Sequence, residues 1–170
     1  STINWSPQVP ELNLFSLPFL MKDDKDLDAL TQGEAGKLSF SAIESRGIVP
    51  LAWGENGFRE VTNNVRPIKT PEDMKGLKLR ANGAMAKTVA AVGGTPVQVT
   101  SNEFYDVLAR GTVDGGMWIS GSTKLVGLEN VLNHTVTGTR MGAGSTFFAI
   151  SERVYQSLDP ELQEILTKAG

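Results

Sequence analysis

Arginine is the residue through which this sequence could do chemistry. Arg80 closes the alternating run Leu77-Lys78-Leu79-Arg80, a pattern that predicts a short strand. The small-residue turn Ala81-Asn82-Gly83 follows it. A guanidinium presents its donors in a planar fork that matches a carboxylate in two-point contact. Ligands of open α/β sheets sit beyond the carboxyl ends of the strands, so Arg80 is placed to meet an anion. The competing reading is a surface arginine paired with a neighbouring acid. Arg59 follows Gly57-Phe58 and enters a second strand, where it could share the anion, line the same cleft or simply be solvated. Met117 and Trp118 come directly after Asp114-Gly115-Gly116. A tryptophan offers a flat apolar wall with one N–H donor, and equally it packs a core. Glu103 stands at a helix start, where a capping or dipole role accounts for it.

Other chemistries fail on the residues present. Asp24, Asp26 and Asp28 alternate as in a calcium loop, but Ala29 occupies the position that needs glycine. The glycine-rich stretch Gly142-Ala143-Gly144-Ser145 lacks the lysine of a phosphate loop. His134 is the single histidine and there is no cysteine, too few ligands for a zinc site, and no nucleophile elbow accompanies it. Asn133-His134-Thr135 fits the glycosylation pattern only as a short match. The absence of cysteine also excludes disulfides and thiol nucleophiles. A net charge of −3 without a basic cluster speaks against nucleic acid. No apolar run reaches the ~20 residues of a membrane-spanning helix. The polar, proline-containing opening at Ser1 predicts no signal peptide there.

The elements that must position these residues follow from periodicity. Residues 1–21, with Pro7, Pro10 and Pro18, are expected to be extended. Leu27, Leu30, Leu38, Ala42 and Ile43 predict one helix over 23–45. Strands are expected at 48–53, closed by Gly54, and at 57–62. Thr70-Pro71-Glu72-Asp73 has the chemistry of a helix start, with Gly76 ending the turn. A helix over 84–92 stops at Gly93-Gly94. A strand covers 96–99, then Ser101 is expected to cap a helix running to Arg110. A strand at 113–119, a helix at 122–132, strands at 134–141 and 146–150, and two closing helices complete the chain. Alternating strands and helices argue an α/β fold with mostly parallel strands.

Six motifs in order resemble the TRAP-type (tripartite ATP-independent periplasmic) transporter solute-binding proteins of the DctP-like family. They are Leu17-Pro18-Phe19, residues 54–59, residues 70–80, Gly93-Gly94-Thr95-Pro96-Val97, Glu103-Phe104-Tyr105 with residues 111–115, and residues 159–163. The resemblance implies an α/β, periplasmic-binding-protein-like fold of two lobes with mixed sheets and cross-over hinge strands, incomplete here. On that pattern residues 1–57 form part of lobe I, 58–64 a hinge strand, 65–133 the core of lobe II, 134–140 a second hinge strand, and 141–170 return to lobe I. It implies a periplasmic receptor and no enzyme or cofactor. Its partners would be a small carboxylate ligand and the membrane subunits of a TRAP transporter.

By the same resemblance, Arg80 matches the arginine that grips the ligand carboxylate, Arg59 a second one, and Trp118 the ligand-facing position after the Val-Asp-Gly turn. Met117 departs from a glutamate that helps hold a metal in some relatives, which argues against metal-bridged binding here. Met85, Met117, Trp118 and Phe147 would make an apolar pocket, so the expected ligand joins a carboxylate to an apolar or aromatic body. Relatives are about twice as long, and open sheet edges predict a dimer or strand exchange. An enzyme acting on a small organic acid and a ligand-sensing domain of a signalling protein are the alternatives on the same scaffold.

Overall fold

The computed structural model describes residues 2–170. The opening is helical, not extended. Helix α1 (Thr2–Trp5) and a 3-10 helix (Pro10–Ser16) fill it. Pro10 stands at the first helical position, where its missing N–H costs nothing, and Val9, Leu12 and Phe15 are buried. The expected helix over 23–45 is two, α2 (Asp24–Gln32) and α3 (Glu34–Glu44). An Asp23 carboxylate oxygen accepts the Asp26 N–H at 3.0 Å and caps α2. The chain turns at Gly33, and Gly36 lies so close to the Thr31 carbonyl that a Cβ there would come within 1.7 Å of it.

The two strands expected at 48–53 and 57–62 are a single strand, β1 (Ile48–Asn63). Gly54 does not end it but pairs with Thr146 of the last strand, and the irregular pairing between 55 and 58 absorbs Gly57 as a bulge. A 3-10 turn (Pro71–Met74) leads into β2 (Lys78–Arg80). The Asp73 carboxylate accepts the backbone N–H groups of Lys69 and Thr70, and these hydrogen bonds hold it below the usual carboxylate pKa. Helix α4 (Ala84–Ala91), β3 (Thr95–Val97), α5 (Phe104–Ala109) and β4 (Gly115–Ile119) follow. Instead of a helix at 122–132 there are three short 3-10 turns; Gly127 adopts a left-handed conformation between the last two, and Leu125 is exposed. The chain ends with β5 (His134–Val136), β6 (Ala143–Ser151), α6 (Glu152–Gln156) and α7 (Pro160–Ala169).

The sheet runs β3-β2-β4-β1-β5, with β6 also paired to β1. Only the β2–β3 and β2–β4 pairings are parallel. β1 pairs antiparallel with β4, β5 and β6, so the sheet is mixed and the expectation of mostly parallel strands fails. The reason is the length of β1: its first part pairs with β6, its last part with β4 and β5. Buried apolar side chains form three clusters. One joins Val61, Leu79, Met85, Val89 and Met117. Another gathers Val9, Leu12, Phe15, Leu27 and Ile43, and the third holds Phe104, Leu108, Val113, Trp118 and Leu128.

The connection from β5 to β6 is stitched onto β1. Glu60 is buried, and its carboxylate accepts the N–H groups of Gly138 (3.0 Å) and Thr139 (2.9 Å) and the Thr139 hydroxyl. Next to it, Arg59 N donates to Gly142 O and Arg59 O accepts from Met141 N.

Candidate functional site

Arg80 ends β2 in the interior of the sheet, with β3 on one side and β4 on the other. Its register partner on β4 is Gly116. A Cβ at Gly116 would lie 2.8 Å from the Arg80 Cβ and 2.8 Å from the Phe104 ring, so glycine there is what lets the arginine stem lie flat against β4. The side chain is only 4% exposed. Its Nε donates to Val99 O (3.0 Å), Nη2 to Ser101 Oγ (3.2 Å) and Nη1, at the long distance of 3.4 Å, to Met117 O. Its guanidinium carbon lies 5.1 Å from the Trp118 ring centroid and 5.3 Å from that of Phe104, within range of cation–π attraction. Among the described residues no carboxylate comes within ion-pair distance of it.

Arg59 reaches the same place from β1 and is 7% exposed. Burial lowers both guanidiniums from the ordinary 12.5 to about 10; at Arg80 the charge of Arg59 adds to the effect. Both remain cationic at neutral pH. Two buried, mutually repelling cations favour an anion between them.

The two arginines line one chamber of about 30 Å3, together with Asn82, Ser101, Met85 and Met117. Helix α1 closes another side of it through Ile3 and Asn4. A second cavity of about 220 Å3 adjoins it, lined by Asn56, Arg59, Ser101, Trp118, Ile119 and Ser122. A third, of about 460 Å3, is bordered by Pro7, Gly83, Gln98 and Ser101 and forms an open mouth.

The structure therefore brings Arg80, Arg59, Met85, Met117 and Trp118 together. Phe147 does not join them. It packs with Trp5 and Trp53, ring centroids 5.8 and 6.3 Å away, because its β6 position pairs with Trp53 on β1. Ser101 is not a helix cap either: α5 starts at Phe104, and Glu103 takes the local hydrogen bonds of Thr100. Ser101 instead lines all three cavities. Asn82 holds the loop after β3 through a two-point amide contact with the Val99 backbone. The readable signal for both was position, since each follows the carboxyl end of a parallel strand. The wall built by α1 had no such signal.

Two buried arginines thus face one small chamber together with Asn82, Ser101, Met85 and Met117. The model of the bacterial extracellular solute-binding protein family 7 (DctP) matches residues 1–170, and the chain belongs to that family. The family's members are binding proteins, not enzymes. A TRAP periplasmic solute-binding protein of Ralstonia eutropha H16, solved with (S)-2-acetolactate, is 46% identical and superposes with a TM-score of 0.93 over 99% of this chain and 55% of its own. Another, from Bordetella bronchiseptica and with density ascribed to pantoate, is 32% identical, with a TM-score of 0.92 over 99% of this chain and 56% of its own. The 2,3-diketo-L-gulonate-binding periplasmic protein YiaO of Escherichia coli is 29% identical over 98% of this chain and 51% of its own length. The chain thus spans about half the length of the relatives it matches, and its α/β fold is the corresponding part of their two-lobe fold. The expected dimer or strand exchange has no support in these relatives.

Proposed function

We propose that this chain is the ligand-gripping part of a periplasmic receptor that captures a small organic acid and delivers it to a TRAP transporter. Arg80 takes the carboxylate in two-point contact and Arg59 shares its charge. Met85 and Met117 face the body of the acid. The single observation that carries the reading is the pair of buried arginines lining one chamber, with no carboxylate of the described residues on Arg80. A ligand anion would supply the missing charge in a site where water no longer screens it. The absence of an acidic side chain from the chamber's lining supports binding without a bridging metal. The relatives with (S)-2-acetolactate and pantoate support a short, branched, oxygen-bearing carboxylate as the ligand.

The test is a thermal-shift and calorimetric screen of this chain against short aliphatic, keto-, hydroxy-, sugar and aromatic acids. A ligand that binds only the folded state raises the melting temperature by mass action. A hit that disappears in Arg80→Ala is the expected result. Failure of every acid to bind overturns the reading for this chain. Delivery is tested by reconstituting the receptor with TRAP membrane subunits and measuring uptake of the hit.

A further inference from the structure

Ser101 lines all three cavities, and its hydrogen bonding is only partly used. A serine hydroxyl has one donor and two acceptor positions. Ser101 Oγ accepts from Arg80 Nη2 at 3.2 Å, and among the described residues nothing accepts its proton. The hydroxyl is thus oriented by the same guanidinium that is proposed to hold the carboxylate. It still has a donor to offer one atom further along the ligand. The 220 Å3 cavity that Ser101 shares with Arg59 is lined otherwise by Asn56, Trp118, Ile119 and Ser122, with no carboxylate among them. The indole Nε1–H of Trp118 is buried and finds no acceptor among the described residues.

We infer that Ser101 is a specificity-determining residue: its hydroxyl, held by Arg80, selects acids that carry a hydroxyl or keto oxygen on the carbon next to the carboxylate. The inference rests on the carboxylate reading of Arg80 and Arg59. A site built to hydrogen-bond a ligand oxygen discriminates strongly against the analogue without it, because its own polar groups are left unpaired.

The experiment compares matched pairs, 2-hydroxyisobutyrate against isobutyrate and 2-oxoisovalerate against isovalerate, by calorimetry on the wild-type chain, Ser101→Ala, Ser101→Thr and Arg80→Ala. The wild-type chain is expected to prefer the oxygenated acid of each pair by about tenfold or more, the ratio that one neutral hydrogen bond supplies. Ser101→Ala is expected to reduce that ratio to about twofold or less while still binding the plain acid, and Ser101→Thr, which keeps the hydroxyl, to restore it. Equal weakening of both acids in Ser101→Ala would mean that the serine only steadies Arg80, and would overturn the inference. So would a wild-type chain that binds both members of a pair equally. Binding that survives unchanged in Arg80→Ala would instead overturn the carboxylate reading itself.

Discussion

Glu60 and Arg80 are both buried charges in one sheet, and they are treated in opposite ways. The Glu60 carboxylate receives two backbone N–H groups and a hydroxyl from residues 138–139. A carboxylate satisfied in this way is structural: it fastens the β5–β6 connection to β1. Arg80 meets two carbonyls, one hydroxyl and two aromatic rings, all of them neutral, and has a second cation nearby. Burying an uncompensated charge is costly, and the proposed ligand anion would offset that cost. Saturation of the charge, and not burial alone, separates the fastening from the site.

That contrast can be broken most forcefully at Arg80. Arg80→Ala is expected to cost about 2–5 kcal/mol of acid affinity, the cost of truncating one partner of a buried charge pair, measured by calorimetry. Arg80→Lys is expected to weaken binding too, since the planar fork is lost. Glu60→Ala is expected to do the reverse. It leaves two N–H groups and a hydroxyl without their acceptor, so stability in urea should fall by about 1–3 kcal/mol while the preference among acids is kept.

pH sharpens the comparison. Acid affinity should be flat from about pH 6 to 9 and fall below about pH 4, where the ligand's own carboxylate takes up a proton and its negative charge is lost. In the free protein both guanidiniums have pKa values near 10, so affinity should fall again as pH rises through that value and the cations are lost. The smallest expected effect is Asp23→Ala. Loss of the α2 cap should cost about 1 kcal/mol of stability and leave acid binding unchanged.

What could be read from the sequence was local. Leu77 to Arg80 alternates and a glycine turn follows, so the strand and the place of Arg80 at its end were legible. The contact of Ser101 with Arg80 was not, because the two are 21 positions apart and meet only through the parallel register of β2 and β3. The prolines of the opening segment argue against helix when counted, yet Pro10 simply starts one. The glycines at 54 and 57 look like strand ends, and only the pairing with β6 shows Gly54 as a regular position and Gly57 as part of a bulge in one long strand. Phe147 was misplaced for the same reason: which wall an aromatic joins is decided by strand register, here opposite Trp53.

The tryptophans make the chain its own optical instrument. Trp118 lies against the Arg80 guanidinium, whereas Trp5 and Trp53 lie together around Phe147 in the other aromatic cluster. An anion arriving at Arg80 changes the electric field across one indole and leaves the other two as an internal reference. Capture of an acid can therefore be followed in real time by stopped-flow emission from the unlabelled protein, and Trp118→Phe should silence the signal.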